Sequence, residues 1–344
     1  MKKRIFLLLA ATLAVLLAAA AFFAWRYFAD RRLGAFRDRV ELFIRPDTPP
    51  DAVLDTLLAH ARRPGSVLRM WRREQVADRM EAGHYTLIPS NSGAYSARML
   101  SHGWQSPVRL VLSGTMRLRG RLASKIAAQM MMDSATVADA LLDSGLLARY
   151  GFTPENEFAL FVPDSYQMYW TDGMEQVLDR QKAAYDAFWT SARRDSAAAL
   201  GLTPMEVSIL ASIVSGESRY RPELPKIAGV YLNRLRRGMK LQADPTVAFC
   251  FDYEPTRILR RHLEVDSPYN TYRNAGLPPA PICVPAREYL EAVLRPDPHD
   301  YLFFCASPDF DGSHRFARTL AEHNLNARAF QQALTARQRA AAKK

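Results

Sequence analysis

Thr203-Pro-Met-Glu-Val-Ser-Ile-Leu-Ala-Ser-Ile-Val-Ser-Gly-Glu217 is the stretch on which the reading turns. Its start carries two helix signals. Thr203 can accept from the Glu206 N–H while the Glu206 side chain reaches back, a capping box. Pro204 suits the first helical position, where its missing N–H costs nothing. Val207, Leu210, Val214 and Glu217 then recur at spacings that share one helix face. A carboxylate therefore continues an apolar stripe. Against apolar walls its charged form is disfavoured, and its pKa rises toward the range where it can donate a proton near neutral pH. The plainer reading is a helix-end Glu in solvent, or paired with Arg219 or Arg221. No second carboxylate is evident nearby: Glu206 lies about three turns earlier and Glu223 follows Pro222. A two-carboxylate glycosidase would need one.

A second helix is expected from Pro225 to about Met239, with Ile227, Val230, Tyr231 and Leu235 as its stripe, Asn233 off it and Gly238 as its stop. In Leu241-Gln-Ala-Asp-Pro-Thr246, Asp before Pro favours a turn, where Asp244 can cap Thr246. Tyr269-Asn-Thr-Tyr272 and Gly276-Leu-Pro-Pro-Ala-Pro-Ile282 join aromatic rings to amides and hydroxyls in a proline-rigid surface, which is how sugars are bound. Tyr301–Cys305 and His314–Phe316 read as paired strands around a turn, and His323-Asn324 falls in a last helix, where a histidine is more often structural.

Upstream, residues 26–40 read as a helical or flexible stalk. Residues 41–111 read as a small mixed module: a strand at Glu41–Ile44, helices over Asp51–Arg62 and Val67–Met80, and strands at His84–Ile88 and Val108–Leu112. Residues 112–199 read as a helical connector, with helices over Leu118–Met130, Ser134–Leu147 and 173–192 and a structured loop at Phe161–Tyr166. The tail, 336–344, reads as frayed.

The first residues set the compartment. Lys2, Lys3 and Arg4 precede an uncharged run from Ile5 to Trp25, long enough as a helix to cross a bilayer. A secretory signal peptide is the rival, since Ala18–Ala21 resembles a cleavage region, but the apolar run exceeds the usual ~7–15 residues. The basic N-terminus favours the cytoplasm, which places 1–4 inside, 5–25 in the membrane and the rest outside. The formal charge of the 344-residue chain is +11. Three of those charges flank the anchor and the others are spread thinly, so nucleic acid, which needs a clustered basic face, is not expected. Cys250, Cys283 and Cys305 are an odd count with no Cys-x-x-Cys pair, which argues against a structural zinc site or a disulfide scaffold. No metal or cofactor is expected.

Taken in order, Leu210–Ser218, Val230-Tyr-Leu-Asn-Arg-Leu235, Gly238–Val247, Tyr269–Tyr272, Gly276–Pro279 and His323-Asn324 resemble the endolytic murein transglycosylase family, MltG/YceG-like. Weaker matches are Ala82–Tyr85, Val108–Val111 and Val162–Tyr166. The resemblance implies an α+β chain: a single anchor, a LysM-like module at 41–111, the connector, and a catalytic domain at 200–335. It places the catalytic glutamate on Glu217. It also implies non-hydrolytic cleavage of the MurNAc–GlcNAc β-1,4 bond of peptidoglycan, leaving 1,6-anhydroMurNAc ends. Asn233, Gln242, Asp244, Thr246, Tyr269, Asn270 and Tyr272 are expected to contact substrate or orient Glu217. The implied partners are glycan strands, the inner membrane and cell-wall synthases. One departure stands out: the family has a Glu-Lys-Glu-Thr-like run where this chain reads Ser215-Gly-Glu-Ser218, so only the second acid remains. A hydrolytic muramidase and a non-catalytic glycan-binding scaffold are the competing readings.

Overall fold

The computed structural model describes residues 2–114 and 116–342. Of the segments expected from sequence, the first residue of the cytoplasmic stretch (Met1) and the last two of the tail (Lys343 and Lys344) lie outside them. The chain divides into two units. One comprises residues up to 109 with 167–172; the other comprises 110–166 with 173–344. Small two-stranded sheets packed with many helices make the class mixed α and β.

The first unit opens with the helix Lys2–Arg32. It is long and apolar enough to cross a membrane, and its large side chains from Ile5 to Phe28 are exposed. Of the residues read as a helical or flexible stalk, 26–32 continue this helix. There Asp30 is buried and accepts two hydrogen bonds from Arg69, at 3.0 Å from Nε and 2.6 Å from Nη2. A buried carboxylate is tolerable only with such a partner.

Val40–Ile44 pairs antiparallel with Gly83–Leu87, Val40 opposite Leu87 and Ile44 opposite Gly83. Val40, Leu42 and Ile44 point inward at the period of a half-buried strand. Between these strands run the helices Pro50–Ala59, Pro64–Arg73 and Val76–Arg79. They add Val53, Leu57, Val67, Met70 and Trp71 to one core. The single helix expected over 67–80 is thus two. Gln75 sits at φ +51°, and a left-handed residue cannot continue an α-helix.

In the second unit the expected connector shares a core with the C-terminal part. Phe188, Trp189 and Ala197 pack in the same cluster as Val207, Leu210, Ile227, Tyr231 and Val293. The helix expected over 134–147 divides into Ser134–Ala140 and Ser144–Ala148, because Asp143 turns out of the first and caps the second, accepting from the Leu146 N–H at 3.0 Å. The helix expected over 173–192 likewise divides into Met174–Phe188 and Ser191–Ala199, the second capped by Thr190. Phe161–Tyr166 is part loop, part strand, since Ser165–Met168 is extended.

Pro204–Glu217 is the central helix, and every residue from Val207 to Ser215 is buried. Its apolar stripe is one side of a helix packed all round. Beside it lie the helices Leu224–Arg236, Asp244–Phe249 and Arg287–Leu294. A hairpin follows, Phe303–Ala306 against His314–Ala317, with Phe303 opposite Ala317. The helix Leu320–Ala342 ends the described chain, so helix replaces the frayed tail from 336 to 342. All three cysteines are free thiols.

The capping box forms as read: Thr203 Oγ1 accepts from the Glu206 N–H at 3.2 Å, and Glu206 Oε2 accepts from the Thr203 N–H at 2.7 Å. Thr203→Ala is expected to cost about 1 kcal/mol, read as a lowered unfolding midpoint in denaturant with an unchanged slope.

Candidate active site

Glu217 is the last residue of the central helix, so the helix delivers its carboxylate to the edge of the core instead of into it. Two features hold it there. Tyr231, at the start of the third turn of Leu224–Arg236, donates its hydroxyl to Glu217 Oε1 at 2.6 Å. Tyr231 is 2% exposed, so this hydroxyl is aimed from inside the core. Gly216 supplies the second feature. A Cβ there would stand 2.4 Å from Pro245 Cβ, far inside contact distance. Glycine is therefore required for the Asp244-Pro245 turn to close on the helix end, and that closure brings Asp244 to Glu217.

Burial pushes the Glu217 carboxyl up to about 7. The Tyr231 hydrogen bond opposes the shift, the negative charge of Asp244 adds to it, and the Arg234 guanidinium draws it back. The Tyr231 hydroxyl is itself held well above its ordinary value by burial and by Glu217, so it stays a donor. Arg234 is buried and held by carbonyls, donating to Leu302 O at 2.6 Å and Leu241 O at 2.8 Å. It fixes the strand and the turn on either side of the carboxylate.

Two cavities meet at this point. One, about 320 Å³, is lined by Glu217, Tyr231, Arg234, Gln242, Asp244 and Tyr272, with Phe303, Phe304, Leu241, Leu320 and His323 as further walls. The other, about 340 Å³, shares Glu217 and Asp244 and continues past Pro245, Tyr253 and Arg117. Glu217 thus stands between two concave spaces.

Of the residues singled out in sequence, Glu217, Gln242, Asp244 and Tyr272 converge here. Tyr272 donates its hydroxyl to Asp244 Oδ1 at 2.6 Å, and burial raises the Tyr272 hydroxyl. Gln242 adopts φ +50° and anchors through its N–H to Thr271 O at 3.1 Å. The other four lie outside these linings. Asn233 donates to His299 O and Tyr301 O at 2.8 and 3.1 Å. Thr246 is fully buried, bonded to Ala243 O and to Thr271 Oγ1. Asn270 donates to Leu263 O and Val265 O and accepts from the Tyr272 N–H, which sets the turn that presents Tyr272. Tyr269 packs on Phe249, ring centroids 4.7 Å apart.

The second carboxylate that sequence proximity did not show is Asp244, 27 residues from Glu217 in the chain but beside it in the cavity. Sequence spacing does not mark Tyr231, Arg234, Phe303 or Phe304 as site residues, and it reads His323 as structural. Tyr231 alone carried a signal: a phenol within an apolar stripe needs a partner for its hydroxyl. His323 stacks on Phe303, and burial holds it below its ordinary value. Ser215 points away from both cavities. It is buried, donates to Ser212 O at 2.8 Å and lies 3.1 Å from Cys283 Sγ. Burial raises that thiol to about 11. The missing acid therefore leaves both linings intact.

Among the described residues no cluster of His, Cys, Asp and Glu could hold a metal ion. The arrangement can hold one carboxylic acid protonated near neutral pH beside an exposed carboxylate. The folded chain keeps the Glu217 proton between about 4.5 and about 7, where the unfolded chain releases it. Stability is therefore lost as pH rises through that window. Glu217→Gln is expected to unfold at a higher temperature than the parent chain at pH 8, by up to about 3 kcal/mol, with the gap closing below pH 4.5. Thermal melts across pH measure both ends.

Comparison with known proteins follows the same residues. Residues 42–329 match the YceG-like family. A Bacillus subtilis (strain 168) protein named endolytic murein transglycosylase is 44% identical over 115 residues, which is 33% of this chain and 31% of that protein. A Streptococcus pneumoniae protein of the same name is 28% identical over 169 residues, 48% of this chain and 30% of that one. The aligned stretches span about a third of the length of these relatives. The crystal structure of a yceG-like protein from Listeria monocytogenes aligns with TM-score 0.54 and 26% identity, over 84% of this chain and 99% of that one. The family match covers residues 42–329, most of the chain, and the chain belongs to the YceG-like family.

Proposed function

We propose that this chain is a membrane-anchored endolytic lytic transglycosylase of peptidoglycan. The observation that carries the reading is Glu217: a carboxyl raised to about 7, hydrogen-bonded by a buried tyrosine, at the meeting point of two cavities. The relatives named endolytic murein transglycosylase supply the substrate class.

In the first step, protonated Glu217 gives its proton to the glycosidic oxygen leaving C1 of MurNAc. Positive charge develops at C1, and the Asp244 carboxylate, held by Tyr272, faces it. Glu217 is now a carboxylate. It takes the proton from the MurNAc C6 hydroxyl, whose oxygen bonds to C1 and closes the 1,6-anhydro ring. One group serves both steps and ends as it began. The attack is intramolecular, so no water has to be positioned. Cavities on both sides of Glu217 suit a strand that enters and leaves, as cleavage within a chain requires. Gln242 and Tyr272 are the substrate contacts on this reading, and Asn233, Thr246, Tyr269 and Asn270 hold the segments that present them.

The helix Lys2–Arg32, with Lys2, Lys3 and Arg4 at its start, supports a single-pass inner-membrane protein, N-terminus cytoplasmic and the chain after the anchor periplasmic. The β-helix-β module around Val40–Leu87 serves as a LysM-like glycan-binding element. Cleavage of nascent strands beside cell-wall synthases would end their elongation. The second reading is a hydrolytic muramidase, favoured by Asp244: two carboxylates beside one bond can also direct a water.

Purified glycan strands decide between them. The parent chain is expected to yield products one water lighter than a hydrolase would, detected by mass spectrometry. Reducing-end sugars would establish the muramidase, and no cleavage the non-catalytic scaffold. Glu217→Gln is expected to lower the rate by about 10²–10⁴ with the fold retained; an active variant would falsify the assignment. The rate is expected to fall as pH rises through about 7. Tyr231→Phe is expected to move that limb to higher pH, because it removes the hydrogen bond that favours the charged carboxylate.

A further inference from the structure

A larger cavity, about 890 Å³, lies in the same unit and plays no part in the mechanism above. Arg117, Arg219, Arg221 and Arg287 line it with the carboxylates Asp164 and Glu288. Two of the arginines are paired: Arg221 Nη2 lies 2.8 Å from Glu288 Oε2, and Arg287 Nη2 lies 3.8 Å from Asp164 Oδ2. The other two are not. Among the described residues Arg219 makes no hydrogen bond, ion pair or ring contact. Arg117 rests its guanidinium over the Tyr253 ring at 5.0 Å and has no carboxylate partner. Planar guanidiniums left unpaired in a concave wall are suited to bidentate capture of carboxylates.

The wall is built, not a chance of loose side chains. The Val284 N–H donates to Met116 O at 2.9 Å, fixing the residue before Arg117, and the Leu112 N–H donates to Asp164 O at 2.9 Å. The cavity also connects to the reacting groups. Arg117 lines both this space and the 340 Å³ cavity that contains Glu217 and Asp244. Arg219 stands two residues beyond Glu217. Three cavities thus follow one another through shared residues, the arginine-rich one at the end.

We propose that this cavity binds the carboxylates of an acidic peptide attached to the glycan, with Arg117 and Arg219 as the anion contacts. The proposal rests on the transglycosylase reading for the identity of the glycan. Size and charge separate a peptide from a phosphate. The volume suits a ligand of several residues, and the paired Asp164 and Glu288 beside the free guanidiniums match a chain carrying both carboxylates and amines. A diphosphate carries no amine to meet those two carboxylates.

The test compares glycan strands that carry their peptides with strands stripped of them by an amidase, using the full chain. The ratio of kcat/KM on the two is expected to be about tenfold or more in favour of peptide-bearing strands, a step of about 1.4 kcal/mol. Arg117→Gln/Arg219→Gln is expected to bring the ratio to near one. Arg219→Glu alone, at an exposed position, is expected to invert it, and it keeps the test valid if the double variant does not fold. An unselective parent chain, or a ratio that survives both changes, overturns the proposal. Binding is read separately, by calorimetry on the Glu217→Gln chain with soluble strands of both kinds. If no strand is cleaved at all, the catalytic reading fails, and the binding preference and its loss in Arg219→Glu still decide this one. Stripped strands ending in a polyprenyl diphosphate are the third ligand; arginine-dependent binding of these in place of peptide-bearing strands overturns it.

Discussion

The site depends on one carboxylate held at the end of a helix whose body is wholly buried. An uncompensated buried charge costs several kcal/mol, and this one is met by a single close hydrogen bond, from Tyr231 at 2.6 Å. One such bond does not replace a hydration shell. The chain meets the remainder by keeping the proton, which is why the group sits at about 7. The same economy makes it an acid that can work near neutral pH. Moving the carboxylate one residue earlier, to 216, would set it against Pro245. Moving it two residues earlier, to 215, would bury it beside Cys283. Position 217 is the one on the helix whose side chain lines both cavities.

That geometry also accounts for Ser215. The family resemblance presents the loss of an acid at this position as a departure at the heart of the motif. In the fold, position 215 faces the core, closed off by Ser212 and Cys283. Serine there satisfies its hydroxyl locally on a helix carbonyl, a low-cost arrangement for a small polar residue inside a helix. The departure changes packing behind the active helix and leaves the walls of both cavities as they are.

Legibility in the sequence followed distance along the chain. The capping box, Pro204 and the run to Glu217 were readable because each depends on neighbours within four residues. The strands near Val40–Ile44 and Gly83–Leu87 were approached in the same way, at Glu41–Ile44 and His84–Ile88, but their pairing was not. Helix breaks were missed where one residue overrode periodicity: Gln75 by its left-handed backbone, Asp143 by capping the next helix. The partners of Glu217 were harder still. Tyr231 lies 14 residues on, Asp244 27, and Phe303 more than 80. Their meeting depends on Gly216 admitting Pro245 and on Arg234 tying Leu241 to Leu302, and neither contact leaves a periodic trace. Thr246 and Asn270 illustrate the converse. Both sit in motifs that looked like sugar contacts, and both spend their polar atoms on turns.

Asp244 gives the sharpest view of how the site divides labour. Two carboxylates border one cavity, and their surroundings differ. Glu217 is enclosed and keeps its proton up to about pH 7; Asp244 is exposed and accepts from Tyr272. Environments that separate two acids in this way assign them separate roles. On the transglycosylase reading, the enclosed one gives the proton and the exposed one faces the positive charge that develops at the sugar. The charge on Asp244 also raises Glu217. A second acid is therefore no sign by itself that water is the nucleophile. What separates ring closure from hydrolysis is whether the substrate's own hydroxyl fills the space beside C1, which the shape of the two cavities controls more than the count of carboxylates does.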